Sequence, residues 1–396
     1  MKFSLLYELE MPKPWHEGGE SELFFNSIEQ IRLAEEMGFE YVWTVEHHCL
    51  EEFAHSSAPE VFYGALSQVT EKIRLGHGAV LIVPGYNHPI RVAERISTLD
   101  ILSKGRVELG MARSTTLTEM EAFGIDPATT REGFDEAIRI IPRLMMEDRF
   151  PGYKGKYFTV GENRNVVPKP VQKPHPPLWM ACSQPDSFEL AGNYGVGVLC
   201  FTVQRPEALT ERIQAYRRTV QNPAHAVSPM INNQVAGFTM VHCDEDRNAA
   251  FEEGGMAALW YRALRPKSDR PYFWDAFETE RRKRFEQIDS YKWTAGRFTE
   301  ELGLYLGADQ GGEVDPRLLD PVKMATSGMV CMGNPDDCIA AAERFEAQGL
   351  DQLMCLVQAG RIPHEKVMNT LRLFGKYVIP HFQEKEKRRA AEAARA

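Results

Sequence analysis

Positive charge is in short supply in this chain: 46 Lys and Arg face 56 Asp and Glu, a formal net charge of −10. A surface of that sign repels phosphate backbones and anionic lipid, which argues against nucleic-acid or membrane partners. Long apolar runs are lacking too. None approaches the ~20 residues that a membrane-spanning helix needs. The opening "MKFSLLYELE" sets Glu8 and Glu10 where a secretory leader would require unbroken apolar sequence. Cysteine is sparse and scattered, with seven residues at 49, 182, 200, 243, 331, 338 and 355 and no Cys-x-x-Cys pair. That pattern makes neither a disulfide framework nor a zinc ribbon and suits a reducing compartment, so a soluble cytoplasmic protein is expected. Also absent are a Gly-x-Gly-x-x-Gly fingerprint and a Walker loop, which argues against a dinucleotide in a Rossmann crevice.

What is present is an ordinary globular balance, 43% hydrophobic and 26% charged, over 396 residues. Strand-like runs alternate with amphipathic helical stretches. The runs are Phe3–Leu9, "YVWTVE" from Tyr41, Ile73–Val83, Arg106–Met111, Leu178–Cys182, "GVGVLCFT" from Gly195, "NQVAGFTMVHC" from Asn233, and Asp351–Val357. Between them, Phe24, Ile28, Ile31 and Ala34 keep helical spacing, with Ser21 as the expected N-cap and Gly38 past the end. Pro89 opens a helix that ends by Gly105, and Thr130 opens one reaching Met146. In "GNPDDCIAAAERFEAQG" an Asn cap, a first-turn Pro and two Asp precede a terminal Gly, as a helix dipole prefers. Eight strands separated by helices predict an α/β fold, a TIM (β/α)8 barrel with a long insertion between strands 7 and 8. The expected division is one barrel domain over 1–382, with residues 265–325 as a lid-like insertion, and a charged tail over 383–396.

In such a barrel the strand C-termini carry the chemistry, and Glu46-His47-His48 sits at one of them. Adjacent strand residues face opposite ways, so only one imidazole looks into the mouth and a metal clamp by both is not expected. Position alone does not choose between His47 and His48. Arg113, just beyond strand four, and Arg131, at the start of the next helix, can each fork onto a phosphate. After strand five, Ser183 and Ser187 stand at a helix opening where hydroxyls and free N–H groups cradle an anion, though capping by Ser183 explains the same letters. Gly76 and Gly78 within strand three point to a bulge, a tightly packed barrel layer or close approach of a flat ring.

Taken together, "GFEYVWTVEHH", "EKIRLGHGAVLIVPGYNHPIRVAERISTLDILSKGRVELGMAR", "ACSQPDSFELA", "GNPDDC" and "GRIPHEKVMNTLRLFGKYVIPHF" resemble the bacterial luciferase-like flavin-dependent monooxygenases, in the subgroup that carries Glu-His-His. The resemblance implies a cytoplasmic homodimer, paired through the helices after strands two and three, that binds reduced FMN, in preference to FAD or F420. A separate NAD(P)H:flavin reductase would supply it. It further implies oxygenation of a small, apolar aldehyde, ketone or aromatic by way of a C4a-peroxyflavin. Position by position, His47 matches the catalytic histidine. Arg113 and Arg131 match phosphate-binding arginines, and Cys182 and Ser183, with Ser187 nearby, match flavin contacts. The segment around Ala79 matches a non-prolyl cis peptide under the flavin ring. Ala112 stands where the luciferase α chain has a reactive cysteine, which argues against light emission and leaves oxygenation untouched. Two other readings fit the same barrel: a deazaflavin- or flavin-dependent oxidoreductase without oxygen insertion, and a non-catalytic flavin-binding protein.

Overall fold

The computed structural model describes residues 1–114, 116–201, 204–263 and 320–393, together with the short paired strands Arg297–Thr299 and Leu304–Leu306. Most of the expected lid, residues 264–319, therefore lies outside the described residues apart from those two strands. Eight parallel strands follow the apolar runs of the sequence: β1 (Lys2–Tyr7), β2 (Tyr41–Thr44), β3 (Arg74–Leu81), β4 (Val107–Ala112), β5 (Leu178–Cys182), β6 (Gly197–Cys200), β7 (Val235–Cys243) and β8 (Gln352–Leu356). Each pairs with the next, β7 pairs with β8, and β8 returns to β1 with Leu5 opposite Cys355. The sheet is thus closed, which is the predicted TIM barrel. A ninth short strand, Cys331–Gly333, lies against the overhanging end of β7 and was not anticipated.

The helices close around this sheet: α1 (Gly19–Glu36), α2 (Pro59–Val69), α3 (Pro89–Leu102), the short α4 (Leu117–Ala122), α5 (Thr130–Met146), α6 (Pro185–Tyr194), α7 (Thr210–Val220) and α8 (Arg247–Ala263). Then come α9 (Pro321–Ala325), α10 (Pro335–Ala347), α11 (His364–Leu373) and α12 (Ile379–Ala393), which runs through the expected tail boundary without a break. The N-cap of α1 is Gly18, not Ser21. Gly18 takes a left-handed φ of 82°, so the chain turns into the helix three residues early and Ser21 lies within its first turn. Asn334 caps α10 as expected, accepting the Asp337 N–H at 3.1 Å. No helix among the described residues is long and apolar enough to cross a membrane.

Two layers of core follow from the alternation of the strands. Val42, Leu75, Leu109, Met180 and Cys182 pack outward under the helices, whereas Leu6, Trp43, Val45, Trp179, Leu199 and Phe238 fill the barrel. Trp43 and Trp179 meet edge to face at 5.3 Å. Their indole N–H groups donate to Gln352, the first residue of β8, at 2.5 Å and to Glu108, near the start of β4, at 2.6 Å. The tryptophans therefore plug the N-terminal end of the barrel and leave the C-terminal end as the mouth. This plug accounts for Gly76, since a β-carbon there would stand 2.3 Å from the Trp43 ring. Gly78 has a different basis. A β-carbon there would meet only ordinary contacts from 3.4 Å, but the β3–β4 register shifts between His77 and Val80, and the Gly78–Ala79 peptide between them is cis.

Candidate active site at the barrel mouth

Beyond Thr44 the chain leaves β2 yet stays pinned: the Val45 N–H donates to the Tyr7 carbonyl at 3.3 Å, and the Ser56 hydroxyl to the Val45 carbonyl at 2.6 Å. Val45 faces the barrel interior, and His47, two residues on, lies edge-on to Phe53 of the same interior layer. The adjacent imidazoles part company, as strand alternation requires. His47 Nδ1 lies 3.0 Å from Glu119 Oε1 on α4, and its Nε2 lies 3.8 Å from Glu8 Oε2 just past β1. His48 Nε2 instead lies 3.3 Å from Glu46, and its ring stacks on Tyr86 at 5.7 Å and tilts against Phe123 at 4.9 Å. Among the described residues no group of three His, Cys, Asp or Glu is placed to hold a metal ion.

Glu119 is fully buried and does two jobs, because the same Oε1 also accepts the His48 backbone N–H at 2.7 Å. A carboxylate at Nδ1 selects the tautomer with its proton there, which leaves Nε2, on the Glu8 side, as the nitrogen free to exchange a proton. Burial pulls the His47 imidazole down, but the Glu119 hydrogen bond and the charges of Glu8, Glu119 and Glu46 outweigh it and leave the group raised. Burial pushes Glu119 up, yet the hydrogen bond and charge of His47 hold it below the ordinary carboxylate value. Glu8 is raised, chiefly by burial and against the pull of His47 and Tyr261. Glu10 is raised well above its usual range by burial, although the Gly360 N–H donates to it at 2.6 Å.

These directions carry a sign for stability. A histidine raised in the fold favours folding below its ordinary 6.5 and loses that contribution as pH climbs through the folded value. Glu8 and Glu10, raised from 4.5, disfavour the fold once the unfolded chain can ionise them, again as pH rises. Of these four groups, Glu119, lowered from 4.5, is the one that weakens the fold on the acid side. We therefore expect the thermal midpoint to fall as the pH climbs above 6.5 and Glu10→Gln to flatten that fall. Calorimetry of both proteins across the range checks it, and a parallel decline in the variant would contradict it.

Glu46 is engaged elsewhere. Its Oε2 accepts the Leu81 N–H at 2.8 Å and its Oε1 the Asn87 side-chain amide at 2.8 Å. Asn87 accepts in turn from Arg95, which also reaches Glu60 at 2.6 Å. An apolar wall flanks His47 on the side of α8, where the Tyr261 ring lies 5.2 Å from Phe53 and 5.7 Å from Phe238.

The anion-type residues gather after β4 and β5, which pair with Met111 opposite Met180. Arg113, the first residue beyond β4, makes no hydrogen bond or ion pair among the described residues and is half-buried. Such a guanidinium suits an incoming anion. Arg131, on α5, lies 3.5 Å from Asp186 on α6, and both are exposed. Ser187, not Ser183, completes the start of α6. Its hydroxyl accepts the N–H groups of Ser183 and Gln184, each at 3.2 Å, and donates to the Gln184 carbonyl, so Gln184 is the N-cap. The Ser183 side chain stays exposed, while its carbonyl accepts from Arg212 at 2.9 Å. Cys182 turns away from the mouth, its thiol buried under α6 and donating to the Ser187 carbonyl at 3.3 Å, so only its backbone borders the site.

Glu8, Glu119, Tyr261 and Asn87 were not singled out from the sequence. Glu8 and Glu10 left a trace, as two acids at the end of an apolar strand. Glu119 left none, because the six residues of α4 are too few to show a period.

Comparison with known proteins sets this geometry in context. A statistical model of the luciferase-like monooxygenase family matches residues 11–352. Over 205 residues the chain is 31% identical to the oxygenase component of a flavin-dependent trigonelline monooxygenase from Acinetobacter baylyi, covering 50% of this chain and 53% of that one. It is 32% identical over 199 residues to limonene 1,2-monooxygenase of Rhodococcus erythropolis, covering 49% of each. The chain thus spans about half the length of these curated relatives. Among solved structures, the FMN complex of the oxygenating constituent of 3,6-diketocamphane monooxygenase from Pseudomonas putida superimposes with a TM-score of 0.71 at 18% identity, covering 96% of this chain and 98% of that one.

Proposed function

The chain belongs to the luciferase-like monooxygenase family, and from that membership we propose that it is the oxygenase of a two-component system. It takes reduced FMN from a separate NAD(P)H:flavin reductase and uses O2 to oxygenate a small, apolar organic substrate. One oxygen atom enters the substrate and the other leaves as water. The observation that carries this reading is that His47 and Arg113, the latter unpaired among the described residues, both lie just beyond the C-terminal ends of parallel strands of one closed barrel, hence at the same mouth.

The donor set fits a flavin phosphate. Arg113 offers an uncommitted guanidinium on the β4 side, with the Ser183 hydroxyl beyond the neighbouring β5. Arg131 would join by exchanging its long contact with exposed Asp186 for the phosphate. Across β3 from Arg113, His47, steadied by Glu119, is the group able to take or return a proton at Nε2. The chemistry the cofactor supplies when bound is the two-electron activation of O2. The ring would rest by the bulged Gly78–Ala79 backbone, with Phe53, Phe238 and Tyr261 excluding water and receiving the apolar substrate. The homodimer would pair through α2 and α3, where Val61, Val69, Ile101 and Leu102 are exposed. Light scattering at one 45.0 kDa subunit would remove that part.

The deciding experiment supplies chemically reduced FMN under ¹⁸O2 with a panel of aldehydes, ketones and aromatics. One labelled oxygen in a product supports the reading. Oxidised FMN and peroxide without any labelled product across the panel, or turnover with a reduced deazaflavin in the absence of oxygen, would count against it.

A further inference from the structure

His47 has a carboxylate beside each ring nitrogen, and the two are held differently. Glu119 is clamped by both histidines through its Oε1, while its buried Oε2, like that of Glu8, has no hydrogen-bond partner among the described residues. Among the described residues Glu8 is held by a single group: its Oε1 accepts the Tyr261 hydroxyl at 3.1 Å, whereas its Oε2, buried and 3.8 Å from His47 Nε2, has no hydrogen-bond partner there. Four elements meet here, since Glu8 follows β1, His47 follows β2, Glu119 lies on α4 and Tyr261 on α8.

We propose that Glu8 is a positioning residue for the proton of His47: its Oε2 shares a proton with Nε2, and the Tyr261 hydroxyl holds Glu8 in the orientation that permits it. This rests on the reading of His47 as the working imidazole.

A buried carboxyl oxygen without a donor is costly, and His47 Nε2, 3.8 Å away, can present one to Glu8 Oε2. The present separation of 3.8 Å exceeds a hydrogen bond, so the proposal requires the two side chains to close it. With Nδ1 committed to Glu119, Nε2 is the only nitrogen of His47 that can exchange a proton with the mouth. A proton accepted there from substrate passes to Glu8 Oε2, so the carboxylate becomes the acid and the imidazole returns to its starting tautomer. The reverse transfer restores Glu8, and the phenol keeps its proton throughout.

Among the described residues, the neighbouring charged groups are engaged elsewhere. Glu46 takes the Leu81 N–H and the Asn87 amide, Glu10 takes the Gly360 N–H, and His48 lies against Glu46. The raised position of Glu8 agrees with a carboxylate basic enough to accept a proton from His47.

The test is NMR of protein labelled with ¹³C-histidine and free of flavin, following the His47 Cε1–H signal against pH and assigning it by its loss in His47→Ala. Glu8→Gln should lower the His47 midpoint by about one unit. Tyr261→Phe should lower it by a smaller step, because a carboxyl deprived of its donor keeps its own proton more tightly. An unchanged midpoint in Glu8→Gln, with the other histidine signals in place, overturns the proposal. Should that variant not fold, the sign of the Tyr261→Phe shift decides, a rise or no change being fatal. No cofactor is in the sample, so a failure here is separate from a failure of the flavin reading, which would show as an absence of FMN binding.

Discussion

Replacing His47 with Ala should cut turnover by about 100-fold or more, the scale of a lost proton-transfer group, while leaving the affinity for reduced FMN close to that of the parent. The separation follows from the layout. His47 stands after β2, between Glu8 and Glu119, whereas Arg113 and Ser183 follow the neighbouring strands β4 and β5. Removing the imidazole therefore leaves the anion side intact. Product formation and flavin binding, measured on the same preparation, give the contrast. Parent-like turnover would remove His47 from the chemistry, and a matching collapse in flavin affinity would make it a binding residue. Glu119→Gln provides an internal control: it keeps a hydrogen-bond partner at Nδ1 but removes its charge, so its effect should lie between those of the parent and His47→Ala.

The second large effect is expected at Arg113. A hydrogen-bonded charge pair to a phosphate contributes about 1.5–3 kcal/mol, so Arg113→Ala should weaken FMN binding by about 10- to 100-fold. Arg113→Lys should recover part of the loss, since an ammonium keeps the charge but not the fork. Riboflavin, which has no phosphate, supplies the decisive comparison. If Arg113 serves the phosphate, its loss should hardly alter riboflavin affinity. Equal losses for both ligands would place the guanidinium elsewhere. Arg131 should matter less, because it is exposed and already lies near Asp186.

The barrel was legible because its strands are buried on both sides. Continuous apolar runs such as those of β3 and β7, cut by Gly, Pro and Asn, leave little else to form. Helix ends with side-chain caps were legible as well, as Asn334 shows. The start of α1 was misread because Gly18 enters by backbone conformation and leaves Ser21, a good cap by type, inside the helix. At the mouth, whatever depended on strand period came through: Val45 and His47 share a face, and the two imidazoles separate. What did not come through are partners supplied from elsewhere in the chain. Glu119 reaches His47 across 72 positions, and Tyr261 reaches Glu8 across 253. No local pattern encodes a meeting of that kind. Ser187 is an intermediate case: its position at a helix start was visible, but whether its hydroxyl faces a ligand or its own backbone was not, and the structure commits it to its own backbone.

Glu46 has a consequence for anyone who maps this mouth by mutation. It stands beside His47, and a loss of activity on replacing it would look like the loss of a reacting group. Yet both of its oxygens are spent on joinery, lashing the tip of one stave to the amide of Leu81 on the next and to Asn87. A dead Glu46 variant would therefore report a sprung rim, and only a structure or a backbone-exchange measurement on that variant would tell the two kinds of silence apart.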